Sequence, residues 1–279
     1  MDMFKIIDAH VHAFPSKLFN AIWAYFERHY WHVQYKLDAD AIIAFLKARG
    51  ILHVVILNYA HEPGMSRALN DWTKEFSRRH ECVHPLGTIH PRDPWLEDEL
   101  DRVLGTGDGC LDLGGLKIQL LVTDFDPGIR RMDAVYEALL EHEKIIVMHA
   151  GTGPIANEHV GIGKVRAVLD RYPRLRLQVP HLGCFEYNEF LDLVEDFSNV
   201  YLDTAMVLVD HGLFDGKVKE EALFDRLVEL QDRLLFGSDF PNIPYDYHLS
   251  IESIKGLPVE ESMKRKIFSE NATNFYRLP

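Results

Sequence analysis

The sequence is poor in cysteine and has no long apolar run. Its three cysteines, Cys82, Cys110 and Cys184, are scattered through 279 residues without metal-ligand spacing. They argue against a disulfide framework and predict a reducing compartment, the cytoplasm. No apolar run approaches the roughly 20 residues that cross a bilayer. No signal peptide is visible either, because Met1-Asp2-Met3 leads directly into a strand pattern. We therefore expect a cytoplasmic protein with no membrane partner.

Positive charge is also scarce. The chain has 30 Lys and Arg residues against 43 Asp and Glu residues, a formal net charge of −13. This balance disfavours nonspecific binding to nucleic acids and anionic membranes, because both are polyanions. Hydrophobic residues make up 47% of the chain, which is enough for a substantial core. We expect a small molecule as the partner, and the sequence leaves a homo-oligomer open.

No linker, low-complexity segment or break in composition divides the chain, which predicts one domain over residues 1–279. Instead, eight apolar strand patterns alternate with helical patterns. The strands are predicted at Lys5–Ala13, His53–Ala60, Val83–His90, Gly115–Leu121, Lys144–Ala150, Arg174–His181, Asn199–Ala205 and Arg233–Asp239. Eight such units predict a (β/α)₈ TIM barrel. The competing doubly wound sheet normally carries a Gly-rich phosphate turn after an early strand, and none is present.

A long segment, residues 14–50, separates the first two predicted strands. Its first half is dense in aromatic residues. Its second half predicts a helix that Asp38 caps and Gly50 ends. We expect a helical, aromatic insertion that either covers the mouth of the barrel or packs on it as an extra helix. The candidate wall residues are Trp23, Phe26, Tyr30 and Trp31.

A pair of histidines stands in the first predicted strand. Asp8, His10 and His12 recur with period two, so that in a strand they point to the same face. Two imidazoles so placed can bind one metal ion. Surface histidines and hydrogen-bonded core histidines produce the same short motif, so the metal interpretation requires ligand-type residues at the ends of other strands.

Three further residues meet that requirement. His149, His181 and Asp239 each follow an apolar strand directly, and each precedes a Gly or Pro turn. Any one of them alone would be interpreted as a capping or loop residue. Because the carboxyl ends of barrel strands lie at one face, the agreement of four strands predicts a metal site there.

The ordered set of motifs resembles the amidohydrolase superfamily, in its amidohydrolase-related (amidohydrolase 2) branch. That branch includes metal-dependent hydrolases and non-oxidative decarboxylases with a TIM-barrel fold. The matching segments are Asp8–His12, Gly115–Ile118, Met148–Gly151, Pro180–Gly183, Leu235–Pro241 and Asn271–Tyr276. The resemblance covers nearly the whole chain.

The resemblance implies roles for five residues. His10, His12, His149 and Asp239 would bind a divalent metal ion. Asp239 would also handle a proton of the bound water. His181 would be the acid/base or polarising residue in a one-metal enzyme and a ligand of the second ion in a two-metal enzyme. Zn²⁺ is the expected ion for such an N/O site, with Mn²⁺, Co²⁺ or Fe²⁺ as alternatives.

Lys117 in the fourth strand has three interpretations. In two-metal amidohydrolases a carbamylated lysine from this strand bridges the ions. In the branch that this chain resembles, a lysine in this motif often accompanies a single metal, and a strand-end lysine paired with a carboxylate is the plainer alternative.

Loop residues give candidates for binding the substrate. His61 and His90 end the second and third strands, and Arg92 can pair with a substrate carboxylate or lie on the surface. Trp23 and Trp31 join them as candidates. Other polar loop residues are His159, His211, Asn242, Tyr245 and His248.

The leading hypothesis is a metal-dependent hydrolase of a small amide, ester or lactone that uses a metal-activated water. The alternative is a metal-dependent non-oxidative decarboxylase of an aromatic or enal carboxylic acid, which would need an arginine for the carboxylate. A ligand-binding barrel without turnover is a third possibility. The complete set of candidate ligands argues against it.

Overall fold

The computed structural model describes residues 4–210 and 221–278. Its β-segments all pair in parallel. They are β1 (Ile6–Val11), β2 (Ile51–Ile56), β3 (Val83–Pro85), β4 (Gly87–Thr88), β5 (Gly115–Gln119), β6 (Ile145–His149), β7 (Arg176–Val179), β8 (Val200–Asp203) and β9 (Leu234–Leu235). One hydrogen-bonded run joins β1 to β3 in order, and a second joins β4 to β9.

Backbone hydrogen bonds connect these two runs at both ends. β3 and β4 are halves of one strand, because Leu86 N between them donates to Ile56 O at 3.3 Å. At the other junction, Ala9 N donates to Phe236 O and His12 N to Phe240 O, both at 2.8 Å. The eight strands therefore form the predicted (β/α)₈ TIM barrel.

The helices lie between the strands in the predicted alternation. They are α1 (Ser16–His29), α2 (Ala39–Lys47), α3 (Ser66–Arg79), α4 (Leu96–Leu104), α5 (Leu120–Thr123), α6 (Arg131–Glu141), α7 (Ile162–Arg171), α8 (Tyr187–Asp196), α9 (Glu221–Glu229), α10 (His248–Lys255), α11 (Glu261–Arg265) and α12 (Asn271–Tyr276). After the seventh strand, the sequence predicts a helix over about Lys219–Gln231; its start lies outside the described residues, and α9 is its described part. None of the helices in the described residues combines the length and the apolar composition that crossing a bilayer requires.

All eight strands are shorter than predicted, and the differences at the sixth and the eighth concern candidate functional residues. The predicted sixth strand runs to His181, but β7 ends at Val179 because the backbone at His181 turns to a φ of 59°. The predicted eighth strand runs to Asp239, whose φ is 65°, and β9 ends at Leu235. In both cases a left-handed residue, which a strand does not accommodate, carries the candidate functional side chain away from the ladder.

The core has two parts. Between the strands and the outer helices lies a large apolar cluster. Inside the barrel lies a smaller one, which α12 joins through Phe275 and Tyr276. β1 and β6 are buried along their whole length, as expected of parallel strands covered on both faces.

The aromatic insertion after β1 both packs on the barrel and covers its mouth. Phe19 and Trp23 of α1 are buried and stack with their ring centroids 4.8 Å apart. Ile22 and Phe26, on another side of the same helix, face a cavity at the barrel mouth. In α2, Ala41 N donates to Asp38 Oδ1 at 2.8 Å, as the predicted N-cap requires.

Candidate metal centre and substrate cavity

The candidate ligands meet at the carboxyl end of the barrel. His10 and His12 come from the end of β1, and His149 is the last residue of β6. His181 lies in a 3₁₀ turn directly after β7, and Asp239 lies in the turn after β9. All five side chains are buried. They come from four separate strand ends, which only closure of the barrel brings together.

Three of these residues contact one another directly. His12 Nε2 lies 2.9 Å from Asp239 Oδ1, and His10 Nε2 lies 3.3 Å from the same oxygen. The two Nε2 atoms are 3.3 Å apart. His10, His181 and Asp239 each offer a ligand atom within 4.8 Å of the others.

The other ring nitrogens have partners that fix their roles. His12 Nδ1 donates to Leu57 O at 2.6 Å, and His181 Nδ1 donates to the carbonyl oxygen of Ala205 at 2.9 Å. Their Nε2 atoms are thereby left as acceptors. His10 Nδ1 lies 3.0 Å from Asp203 Oδ2, which likewise directs its Nε2 toward the centre when the ring is neutral.

This donor set fits a divalent cation. Lone pairs on imidazole nitrogens and a carboxylate oxygen repel one another at about 3 Å unless a positive charge lies between them. Two ligands bonded to one ion at about 2.1 Å lie about 3 Å apart when the bonds form a right angle. The separations of 2.9 and 3.3 Å among His10, His12 and Asp239 are of this size.

The pKa shifts of the site residues also indicate that the site favours a positive charge. Burial opposes a charge on His10, but the carboxylates of Asp203 and Asp239 outweigh it and raise the pKa of His10 to about 9. Burial also opposes ionisation of Asp239, yet His10 and His12 hold its pKa well below the usual range. Burial lowers the pKa of His181. In the metal-free protein a proton on His10 thus supplies the charge that a cation would bring.

Tight packing and an unusual backbone hold the ligands in place. His181, Leu182 and Cys184 all have positive φ, a conformation that costs non-glycine residues free energy. Gly183 between them has no room for a side chain, because a Cβ there would lie 2.0 Å from Phe190 Cδ2. The turn therefore has little freedom, and His181 stays aimed at the centre.

His149 lines the same cavity but lies outside the tight group. Its Nε2 donates to Gly153 O at 3.1 Å, and its ring centroid is 5.0 Å from that of His181. Burial, followed by the nearby His181 and Lys117, holds the pKa of His149 well below its usual range. The ring is therefore neutral, with Nδ1 as an acceptor. Its role as a metal ligand stays a prediction.

Lys117 is fully buried in β5, and its Nζ has no hydrogen-bond partner among the described residues. Burial lowers its pKa to about 8, against the attraction of Asp203 and Asp239. The predicted salt bridge to a carboxylate is thus not formed as a direct contact in the described chain. Whether the amine is carbamylated and bridges two ions stays a prediction.

A cavity of about 410 Å³ opens above the candidate ligands. Its floor is polar and formed by the ligand residues, whereas its walls are mainly apolar and aromatic. Wall residues include Leu18, Ile22, Tyr25, Phe26, Tyr30, Trp31, Tyr59, Leu121, Val122 and Met206. Many of them belong to the insertion after β1, so this segment shapes the space available to a ligand.

The structure places two of the predicted substrate-binding residues at the cavity. Trp31 lines it, with its indole Nε1 donating to Asn242 O at 2.7 Å, and His61 lines it at the end of the second strand unit. Trp23 does not, because the helical rotation of α1 turns it into the core against Phe19. Among the other predicted loop residues, Asn242 lines the cavity, while His211 lies outside the described residues.

His90 and Arg92 also lie away from the cavity. His90 is buried and its Nε2 donates to Thr123 O at 3.2 Å. Arg92 is exposed. The cause is Asp93, whose carboxylate accepts from His90 N and from the hydroxyl of Ser66, and so draws this loop toward α3.

Sequence reasoning missed Asp203 and misjudged Asp8. Asp203 follows an apolar strand directly, as the predicted ligands do, and that position was the available signal. Asp8 does not face the metal centre with the two histidines. Its carboxylate accepts from Ser238 Oγ at 2.6 Å and Tyr247 OH at 3.0 Å, and thereby anchors the turn that carries Asp239. Burial raises the pKa of Asp8 to about 6.

Taken together, a TIM barrel with a buried His/Asp centre at its carboxyl face defines a candidate metalloenzyme. The family model for amidohydrolases (Amidohydro_2) matches residues 7–278. The chain belongs to this family. Among curated proteins, no match to the chain was found.

Solved structures agree with the fold. 5-Carboxyvanillate decarboxylase from Sphingomonas paucimobilis is 16% identical, with a TM-score of 0.70, and the match covers 99% of this chain and 100% of that one. Dihydroxybenzoic acid decarboxylase from Polaromonas sp. JS666, with bound manganese and the inhibitor 2-nitroresorcinol, is also 16% identical, with a TM-score of 0.69 over 99% and 98% of the two chains. A probable 2-pyrone-4,6-dicarboxylic acid hydrolase from Acinetobacter baumannii is 13% identical, with a TM-score of 0.68 over 98% and 99%.

Proposed function

We propose that this protein is a metal-dependent, non-oxidative decarboxylase of a small aromatic carboxylic acid. The observation that carries the proposal is the division of the cavity into a His/Asp floor and an aromatic, apolar wall. A benzoate-like acid has the matching division, with its carboxylate at one edge of an apolar ring. Two of the similar structures are decarboxylases of aromatic acids, which supports this reaction over the hydrolysis that the sequence favoured.

The size of the cavity supports a substrate of one ring. About 410 Å³ lies toward the lower end of the range for small-molecule sites. Trp31 and Tyr59 border this space, and Phe26 closes it from α1. Flat side chains of this kind contact an aromatic ring over a large area at small entropic cost.

We further propose that His10, His12, His181 and Asp239 hold a divalent ion, with His149 as a further ligand. The manganese in one of the similar structures supports a divalent metal, and makes Mn²⁺ the first ion to test. Zn²⁺, which the sequence favoured, is the second. When bound, such an ion would act as a Lewis acid that holds the anionic oxygens of the substrate at the cavity floor.

The chain's own groups handle the proton. Decarboxylation adds one proton to the ring carbon and breaks its bond to the carboxylate, whose carbon leaves as CO₂ while the bonding electrons return to the ring. Asp239, on the cavity floor, is ionised before the reaction, so it is proposed to take a proton from a water molecule there and pass it to the ring carbon, and the hydroxide left behind combines with the CO₂ to give bicarbonate. His181 donates from Nδ1–H to the carbonyl oxygen of Ala205, which leaves its Nε2 lone pair as the proposed metal ligand on the cavity floor. The apolar walls exclude water and so protect the developing carbanion character at the ring.

Hydrolysis of a lactone, ester or amide is the second candidate. The same floor can serve it, because Asp239 can accept a proton from an attacking water. The similarity to a probable pyrone dicarboxylate hydrolase supports keeping this reaction in the test.

The test uses metal-free protein loaded with Mn²⁺ or Zn²⁺ and a panel of carboxyl-¹³C hydroxybenzoates, together with lactones and amides. We expect ¹³CO₂ and bicarbonate from a hydroxybenzoate, detected by NMR, and none with the Asp239→Asn variant. Ring opening of a lactone without release of CO₂ would show that the protein is a hydrolase and not a decarboxylase. A folded, metal-loaded protein that turns over no member of the panel would contradict the proposal.

A further inference from the structure

We infer that Asp203 is the positioning residue of the metal centre, and that Gln178 and Tyr276 in turn hold Asp203. The inference rests on the proposed metal-dependent function. It concerns residues of β7, β8 and α12 that do not line the cavity.

Asp203 contacts two members of the ligand group at once. Its Oδ2 accepts from His10 Nδ1 at 3.0 Å and from Gln178 Nε2 at 2.7 Å. Its Oδ1 accepts from the backbone N–H of His181 at 2.9 Å and of Ala205 at 3.1 Å. One fully buried carboxylate thus fixes the imidazole of His10 and the start of the left-handed turn at His181.

Four donors on one carboxylate require that it be ionised. Because an ionised carboxylate can only accept, His10 must present Nδ1–H to it. The lone pair of His10 Nε2 then faces the metal position, which is the tautomer a ligand needs.

The chain of contacts continues to the C-terminal helix. Tyr276 of α12 is buried, and its hydroxyl donates to Gln178 Oε1. That bond fixes the orientation of the amide, so that Gln178 Nε2 points to Asp203 and also to Ala9 O at 3.3 Å. Burial keeps the phenol protonated by raising the pKa of Tyr276 well above its usual range. α12 is therefore linked to His10 by three consecutive side-chain hydrogen bonds.

Replacing the carboxylate by an amide should reverse the tautomer. In Asp203→Asn one of the two acceptor atoms becomes an NH₂ group, which cannot accept from His10 or from Gln178. His10 then gains by carrying its proton on Nε2, and its metal-binding lone pair is lost. Loss of such an outer partner typically costs about 10- to 100-fold in metal affinity.

The experiment measures Mn²⁺ affinity by calorimetry and, in Zn²⁺-loaded protein, the ¹H–¹⁵N signal of His10 Nδ1–H. Asp203→Asn should bind Mn²⁺ about 10- to 100-fold more weakly and lose the downfield Nδ1–H signal. Tyr276→Phe, which keeps the ring and removes only the donor, should weaken binding about threefold and shift that signal.

Tyr136→Phe is the matched control. Tyr136 is also a buried tyrosine, and its hydroxyl donates to Pro127 O at 2.8 Å in another part of the barrel. It should lower thermal stability much as Tyr276→Phe does, without changing Mn²⁺ affinity or the His10 signal. Equal effects of the two tyrosine variants would overturn the inference, because they would show only a general loss of stability.

The outcomes also separate this inference from the proposed function. Only the inference is wrong if wild-type protein binds Mn²⁺ and releases CO₂, and Asp203→Asn has the same Mn²⁺ affinity and the same His10 signal. If Asp203→Asn does not fold, Tyr276→Phe takes its place in this comparison. If the variants behave as expected and no substrate is decarboxylated, only the proposed reaction is wrong. A wild-type protein that binds neither Mn²⁺ nor Zn²⁺ contradicts both.

Discussion

His12 Nε2 lies 2.9 Å from Asp239 Oδ1, although one residue stands near the start of the chain and the other near its end. Their contact exists because the last strand segment pairs with the first. His12 N donates to Phe240 O at 2.8 Å, and Asp239 N donates to His10 O at 2.9 Å. The pairing of the first and last strand segments therefore both closes the barrel and brings these candidate ligands together.

Asp239→Asn should abolish turnover and leave the fold intact. The amide cannot carry the reacting proton, and its NH₂ group would face His12 Nε2 in place of a charged oxygen. We expect kcat/KM to fall by at least about 100-fold, as typical losses of an acid/base group are about 10²–10⁴-fold. The assay is product release by metal-loaded protein, with circular dichroism to verify folding. Asp232→Asn, at an exposed ion pair with Lys266, is the control. If Asp239→Asn kept more than a tenth of the wild-type kcat/KM, Asp239 would not be the group that transfers the proton.

Removing the metal should lower both activity and thermal stability. A ligand that binds only the folded state, at 100 times its Kd, stabilises that state by about 2.7 kcal/mol. Chelation followed by dialysis should therefore lower Tm by several degrees, and Mn²⁺ should restore it. Elemental analysis should find one ion per chain, whereas two ions would favour the bridging role of Lys117. Full activity in metal-free protein would contradict the proposed mechanism.

Gly237→Ala should loosen the metal centre. A Cβ at Gly237 would lie 2.8 Å from His10 Cβ and 3.2 Å from Asp203 Cβ, so that one of them must move. Overpacking of this kind costs about 1–3 kcal/mol, which urea unfolding can measure, and we expect about tenfold weaker Mn²⁺ binding. Gly163→Ala in α7, where nothing lies within 4 Å of the added Cβ, is the matched control and should stabilise by about 0.5 kcal/mol. Equal effects of the two substitutions would refute this account of Gly237.

The buried, neutral form of His84 should stabilise the folded state at neutral pH, and this contribution should be lost in acid. Burial, followed by repulsion from Lys144 and His53, lowers the pKa of His84 to about 4. Because the folded pKa lies below the ordinary value of 6.5, the unfolded chain takes up the proton first. The contribution is therefore complete above about pH 6.5 and lost as the pH falls toward 4, and it amounts to about 1–3 kcal/mol.

Urea titrations of wild-type protein and His84→Gln at several pH values test this. The difference between their free energies of unfolding should shrink as the pH falls from 6.5 to 4, because only the wild type has this group to protonate. A difference that is constant across this range would show that His84 titrates normally.

The sequence predicted the barrel well because its signals are local and repeated. Each strand is an apolar segment followed by a helical pattern, and closure adds no further sequence requirement. The ends of strands were harder, because the positive φ of His181 and Asp239 comes from the hydrogen bonds and packing around the two turns. Asp203 was missed for a related reason. Its four hydrogen-bond donors come from β1, from β7, from the 3₁₀ turn after β7 and from its own turn, and its neighbours in sequence do not reveal them.

Side-chain direction was the other limit. Trp23 and Ile22 are adjacent in sequence, and only the packing of α1 against the barrel decides that Ile22 faces the cavity while Trp23 stacks on Phe19. In the same way, Asp93 draws His90 and its loop toward α3, away from the substrate side.

The eight strand-helix units and the ligand-type residues at the ends of four strands could be predicted from the sequence, because both are patterns along the chain. Which of those residues are in contact depends on the folded barrel. It brought His10, His12 and Asp239 within 3.3 Å of one another, added His181 to their group, and left His149 beside it. A metal centre depends on distances across the barrel, and closure of the sheet and buried groups such as Asp203 set those distances.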